Sequence, residues 1–145
     1  MAVKSLSTRI AIIGRGAKCS GGSSAVDRSA YISRTTMYSE YDGTYYYPKY
    51  SEDLVHSEVM LSENAPEEYA TLSVLWNSVE MREKNNSKAQ LARSYKISIP
   101  NEWSYELATE VVRDYVKRNF VDEGFVCPVC GHRHGYALNR SGRYQ

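Results

Sequence analysis

Several things are scarce in this chain of 145 residues. Cysteine occurs only three times, too few for the disulfide framework that small secreted domains use to supplement a core. Phenylalanine and tryptophan number two each, and the longest apolar run is only Ile10 to Ile13, far below the roughly 20 residues of a transmembrane helix. The N-terminus lacks the basic-then-apolar layout of a signal peptide, so a cytoplasmic protein that does not engage a membrane is expected. Charge of one sign is also missing. With 18 Lys+Arg against 17 Asp+Glu and a net charge of +1, binding nucleic acid through bulk positive charge is excluded, whereas a local basic groove is not. No internal repeat or low-complexity segment is present.

Tyrosine is what the chain has in excess, with 13. Most of its aromatic side chains therefore carry a hydroxyl, which packs, stacks on bases or acts as a nucleophile. Length and composition fit one globular domain.

Along the chain, Ser5 to Ile13 alternates loosely and is rich in β-branched residues, which predicts a strand. A glycine-rich loop, Gly14 to Ser24, follows. Ser23 or Ser24 is placed to cap a helix from Ala25 to about Arg34, on which Tyr31 lies. Tyr38 to Tyr50, with Gly43 and Pro48, has no helical period and reads as a hairpin or extended arm. Leu54 to Leu61 reads as a strand. Asn64-Ala-Pro-Glu-Glu68 combines a cap, an early proline and two carboxylates at a helix start. Leu72, Leu75, Trp76 and Val79 carry that helix to about Lys84. Gln90 to Ile99 alternates toward Pro100 and suits a half-buried strand. Ser104 caps a last helix with a stripe of Leu107, Val111, Tyr115 and Val116, running to about Val121 with Gly124 as its stop.

Five stretches occur in one order: Ser23-Ser-Ala-Val-Asp-Arg-Ser-Ala-Tyr-Ile-Ser-Arg34, Val55-His-Ser-Glu-Val-Met-Leu-Ser-Glu-Asn-Ala-Pro66, Leu75-Trp-Asn-Ser-Val79, Ala89-Gln-Leu-Ala-Arg93 and Ile97-Ser-Ile-Pro100. Together they resemble the amino-terminal portion of the MobA/MobL plasmid mobilisation relaxases, over roughly Thr8 to Val126. The resemblance implies an α+β fold, an antiparallel sheet with packed helices. It also implies a nickase of the HUH class, named for two histidines flanking an apolar residue. Such an enzyme cuts one DNA strand at a transfer origin, forms a 5′-phosphotyrosyl intermediate and reseals it.

On that resemblance the nucleophile maps to Tyr31, with Tyr38 second. A phenol ionises near pH 10 and is a poor nucleophile at neutral pH, so the family draws charge from the phosphate with a divalent metal, Mg or Mn, held by histidines. Arg9, Arg15, Lys18, Arg28 and Arg34 are the candidate DNA-binding residues, where the backbone of single-stranded or melted origin DNA would pass. Accessory mobilisation proteins are possible further partners. Each residue has a plainer reading: Tyr31 as helix-to-sheet packing, the arginines as solvated surface charge, the tyrosine arm as cross-strand aromatic pairs rather than a base-stacking platform, and His56 as a structural histidine.

The chain departs from the family in two places. Ser94 and Lys96 stand where family members usually carry acidic residues. After Val126 the family continues through a strand bearing a histidine, a loop and the His-x-His pair, whereas this chain reads Cys127-Pro-Val-Cys-Gly-His-Arg-His134 with Arg133 between the histidines. The expectation is therefore a truncated relaxase-like domain over 1–126 and a divergent tail over 127–145, in which His132 and His134 are candidate metal ligands. The missing strand would leave an exposed edge or apolar groove. Two alternatives stay open: a non-catalytic DNA-binding remnant, and a zinc-knuckle interaction protein using Cys127 and Cys130 with the two histidines.

Overall fold

A computed structural model of the chain describes residues 8–15, 22–48, 53–83, 89–133 and 135–142. In chain order these form β1 (Thr8–Gly14), α1 (Ala25–Ser33), β2 (Met37–Ser39), β3 (Thr44–Tyr46), β4 (Leu54–Met60), α2 (Leu72–Arg82), β5 (Gln90–Ser98), α3 (Tyr105–Asn119), β6 (Cys127–His132) and β7 (Gly135–Arg140). Short 3-10 turns stand at Glu67–Ala70 and Val121–Glu123. The main sheet has five strands in the order β1-β5-β7-β6-β4, every neighbouring pair antiparallel. β2 and β3 make the tyrosine hairpin. The α+β architecture is as expected from the sequence.

Helices cover both faces. α1 and α2 pack on one, where Ile13, Val26, Ala30, Leu75, Trp76 and Leu91 form a core. α3 covers the other, setting Ala108, Val112 and Val116 against Tyr95, Ile97, Val129, Tyr136 and Leu138. The buried stripe of α3 thus recurs every fourth residue from Ala108, and Tyr115, expected inside, is 37% exposed. A small alanine lets the helix axis approach the sheet closely, which the bulkier neighbouring stripe would prevent. The helix expected from Asn64 to Lys84 is likewise divided. Glu67–Ala70 winds as a 3-10 turn, Thr71 is extended at φ −93° and ψ 119°, and α2 begins only at Leu72. Lys84 lies outside the described residues.

The largest correction concerns the end of the chain. Residues 127–140 are neither a tail nor a separate unit: β6 and β7 are central strands, bonded to β4 and β5 on either side. No boundary falls at 126, the strands the sequence reading held missing are present, and the sheet edges are β1 and β4 instead. Two glycines that disguised these strands are required by close approach. A Cβ on Gly135 would stand 2.9 Å from the Ile97 carbonyl oxygen, and one on Gly131 would meet the Tyr136 ring at 2.6 Å. Pro128 is tolerated because the ladder to β7 begins only at Val129.

Candidate functional site

The helix carrying Tyr31 is pinned at both ends. Ser24 caps it, its Oγ accepting from the Asp27 N–H at 3.1 Å. Beyond that cap lies the buried carboxylate of Glu80 on α2. Its Oε1 accepts from the Ser24 hydroxyl at 3.0 Å and from the backbone N–H groups of Ala25 and Val26 at 2.7 and 3.1 Å, while Oε2 accepts from Ser39 at 3.3 Å. A negative charge therefore meets the positive end of the α1 dipole, and orphan N–H groups of its first turn are satisfied.

At the other end Arg34 closes α1 in the left-handed conformation, φ 56° and ψ 37°. This position favours glycine, and an arginine here costs on the order of 1 kcal/mol. Side-chain bonds offset the cost. The guanidinium donates to the Tyr31 carbonyl at 2.6 Å and takes both carboxylate oxygens of Asp53 at 3.2 and 3.3 Å. The Tyr31 ring, 42% exposed, lies between Arg28 and Arg34, whose guanidinium carbons are 5.5 and 5.1 Å from its centroid.

Tyr31 opens on a cleft of about 270 Å³ whose walls include Arg34, Asp53, Lys96, Ser98 and His132. Thus His132, at the end of β6, meets the candidate nucleophile's helix directly: its Nε2 bonds the carbonyl of Ile32 at 2.8 Å. A carbonyl only accepts, so Nε2 carries a proton, and Nδ1 is the ring nitrogen not engaged by that bond.

Strand parity decides the metal candidates. His132 shares the α1 face with Cys130, which packs with Ile32 and Ala137. Cys127 and Val129 face α3. With Cys127 and Cys130 on opposite faces of β6, the two thiolates do not meet on one ion, so the zinc-knuckle reading is corrected. Both thiols are buried and free, and burial pushes the ionisation of Cys127 up to about 12 and that of Cys130 upward, against the thiolate that zinc needs. His56 pairs across the ladder with Gly131, on the α3 face. It is held there by Glu58, which also accepts from Arg113 at 2.9 Å, in keeping with a structural histidine. His134 lies outside the described residues, among which no group of three or more His, Cys, Asp or Glu side chains is placed to hold a metal.

The candidate DNA-binding residues divide. Arg28 and Arg34 flank Tyr31. Arg9 on β1 pairs with Lys96 on β5, which lines the same cleft. Arg15 is elsewhere: its guanidinium stacks on Tyr41 at 3.8 Å and donates to the carbonyls of Glu80 and Glu83 at the end of α2, a helix C-capping role. Lys18 lies outside the described residues. Sequence reasoning missed Glu80 and Asp53, and read Lys96 only as an absent carboxylate; the polar face of an alternating strand was the available signal for Lys96.

A larger groove of about 1120 Å³ between β4 and α3 mixes Glu106, Glu110 and Asp114 with Arg113, Lys117 and Arg118, so its charges largely cancel. None of the described helices is long and apolar enough to cross a membrane.

The model of the MobA/MobL family matches residues 23–140, which takes in the Tyr31 helix, the Lys96 strand and both strands of the 127–140 hairpin. The chain belongs to the MobA/MobL family. This MobA/MobL chain is 26% identical over 118 residues to the probable mobilization protein MobA of Bifidobacterium longum, covering 81% of itself and 21% of that protein. It is 35% identical over 85 residues to the conjugal transfer protein TraA of Agrobacterium fabrum, covering 52% of itself and 8% of TraA. It therefore spans a small part of these relatives. In structure it matches a chain from the work titled "Molecular Basis of Vancomycin Resistance Transfer in Staphylococcus aureus", with a TM-score of 0.78, 20% identity, and coverage of 94% of this chain and 69% of that one. The fold is shared.

Proposed function

We propose that the chain is the strand-transfer unit of a MobA/MobL relaxase, cutting and resealing single-stranded or melted DNA at a transfer origin through Tyr31. One observation carries the reading: the family's candidate tyrosine stands exposed on a helix fixed at both ends, at the mouth of a cleft that also holds His132 and Lys96. In the forward step the Tyr31 Oη–P bond forms and the P–O3′ bond breaks. The phenol proton ends on the departing 3′ oxygen, and His132 Nδ1 is the imidazole nitrogen in the cleft to relay it. The phosphotyrosine retains the energy of the broken ester, so attack by a 3′ hydroxyl reverses the step. A cleft this small admits one strand's backbone and not a duplex. Accessory mobilisation proteins would be its partners at the origin.

The family resemblance implies Mg or Mn, and the described residues fit neither. The cleft offers one imidazole, its lone carboxylate Asp53 is engaged by Arg34, and Lys96 adds positive charge. No step is therefore routed through a metal. A second reading, DNA binding without cutting, draws on that same single imidazole.

The test is an adduct resistant to SDS between the protein and single-stranded oligonucleotides tiled across the DNA flanking its own gene. Transfer through Tyr31 predicts an adduct with the native chain and none with Tyr31→Phe. An adduct unaffected by that change refutes the assignment, and binding without any adduct selects the second reading.

A further inference from the structure

The misfit between the described residues of the cleft and a divalent cation has a physical counterpart in the sheet beside it. Arg9 on β1 stands directly across from Lys96 on β5, and directly paired residues of a ladder project from the same face. Two like charges side by side repel and cost stability unless something lies between them. Continuing across the sheet, Lys96 pairs with Ala137 and Ala137 with Cys130, so no carboxylate completes the row. Among the described residues neither the Arg9 nor the Lys96 side chain has an ion pair or hydrogen bond. Asp53, the acid nearest in the cleft, is bound by Arg34 through both oxygens. The strand edge beside Tyr31 is thus an uncompensated cationic pair reached by Lys96 from the cleft.

We propose that Arg9 and Lys96 form a phosphate-binding site that seats the phosphodiester of a single DNA strand beside Tyr31, supplying from the protein the positive charge that a divalent metal would otherwise bring. The inference rests on Tyr31 as the nucleophile for its catalytic meaning, and on the register alone for the site. A guanidinium and an ammonium projecting from one face grip the two non-bridging oxygens. They offset charge there as the pentavalent transition state forms.

The 145-residue protein and fluorescein-labelled oligo-dT provide the test, by anisotropy across a NaCl series in EDTA and again in MnCl2. Expected are equal affinities with and without the metal, and no binding of a methylphosphonate oligo-dT, whose backbone is neutral. Lys96→Met and Arg9→Met should each weaken binding about tenfold and lower the salt slope by about 1. Both side chains are exposed, so the variants should melt as the native chain does. Binding abolished by EDTA, or variants that bind like the native chain, would overturn the proposal. So would electron paramagnetic resonance showing one tightly bound Mn²⁺ per chain that His132→Ala releases. An adduct at Tyr31 that forms only with Mn²⁺ refutes this inference and leaves the proposed function standing. Metal-free binding through Arg9 and Lys96 without any adduct does the reverse.

Discussion

Replacing Glu80 with alanine removes a carboxylate that is 1% exposed and strands four donors: the N–H groups of Ala25 and Val26 and the hydroxyls of Ser24 and Ser39. Hydrogen bonds to a charged group are worth about 1.5–3 kcal/mol each, but they share one acceptor group, so about 3–5 kcal/mol in total is the reasonable loss. At roughly 3 °C per kcal/mol for a chain of this size, Tm should fall by about 10–15 °C. Glu80→Gln keeps one oxygen for the helix and loses the charge at the dipole, a cost of about 1–2 kcal/mol. Thermal unfolding followed by circular dichroism ranks native above Gln above Ala. An alanine variant melting within about 2 °C of the native chain, or one no worse than glutamine, would refute the claim that this carboxylate anchors α1.

Three further outcomes follow from the same geometry. Arg34→Gly relieves the left-handed backbone by about 1 kcal/mol and loses the bonds to the Tyr31 carbonyl and Asp53, so Tm should hardly move while the loss of a cation beside Tyr31 lowers oligo-dT affinity; equal affinity contradicts it. Arg9→Glu turns a repulsive cross-strand pair into an attractive one, raising stability by about 0.5 kcal/mol in urea titrations as DNA binding declines. In alkali, burial holds Cys127 and Tyr46 protonated, Tyr46 also through its bond to Asp42, each to about 12. A folded ionisation above the unfolded one gives stability that is whole below the ordinary thiol value of 9.0 and is lost as pH rises toward about 12. Cys127→Ala should flatten that decline by about 1.4 kcal/mol per pH unit; an unchanged slope rejects the assignment.

Much of the fold was readable because its elements carry strong local signals. Ser24 and Ala25 announce α1, Trp76 and Leu75 mark the buried face of α2, and the alternation from Leu91 to Ile97 marks β5. Where reading failed, tertiary contact overrode local appearance. Thr71 is extended within a segment of helical pattern, and Ala108 rather than Leu107 meets the sheet. The misreading of 127–140 came from treating glycine, proline and paired cysteines as loop or metal chemistry. Gly131 and Gly135 instead make room for Tyr136 and Ile97, and Cys127 and Cys130 behave as small apolar side chains on opposite faces. Of the candidate site, the grouping of Tyr31 with Arg28 and Arg34 on one helix was legible through local sequence and family resemblance. Lys96, Asp53 and Glu80 were not, because their meaning depends on strand register and on contacts between residues far apart in sequence.

The most direct measurement is peptide mass spectrometry of the protein–DNA adduct after nuclease and trypsin digestion. The account predicts a nucleotide-phosphate mass on the peptide containing Tyr31, formed in EDTA and absent from Tyr31→Phe. The same mass on a peptide from the Tyr38–Tyr47 hairpin, or an adduct indifferent to the Tyr31 substitution, would contradict it.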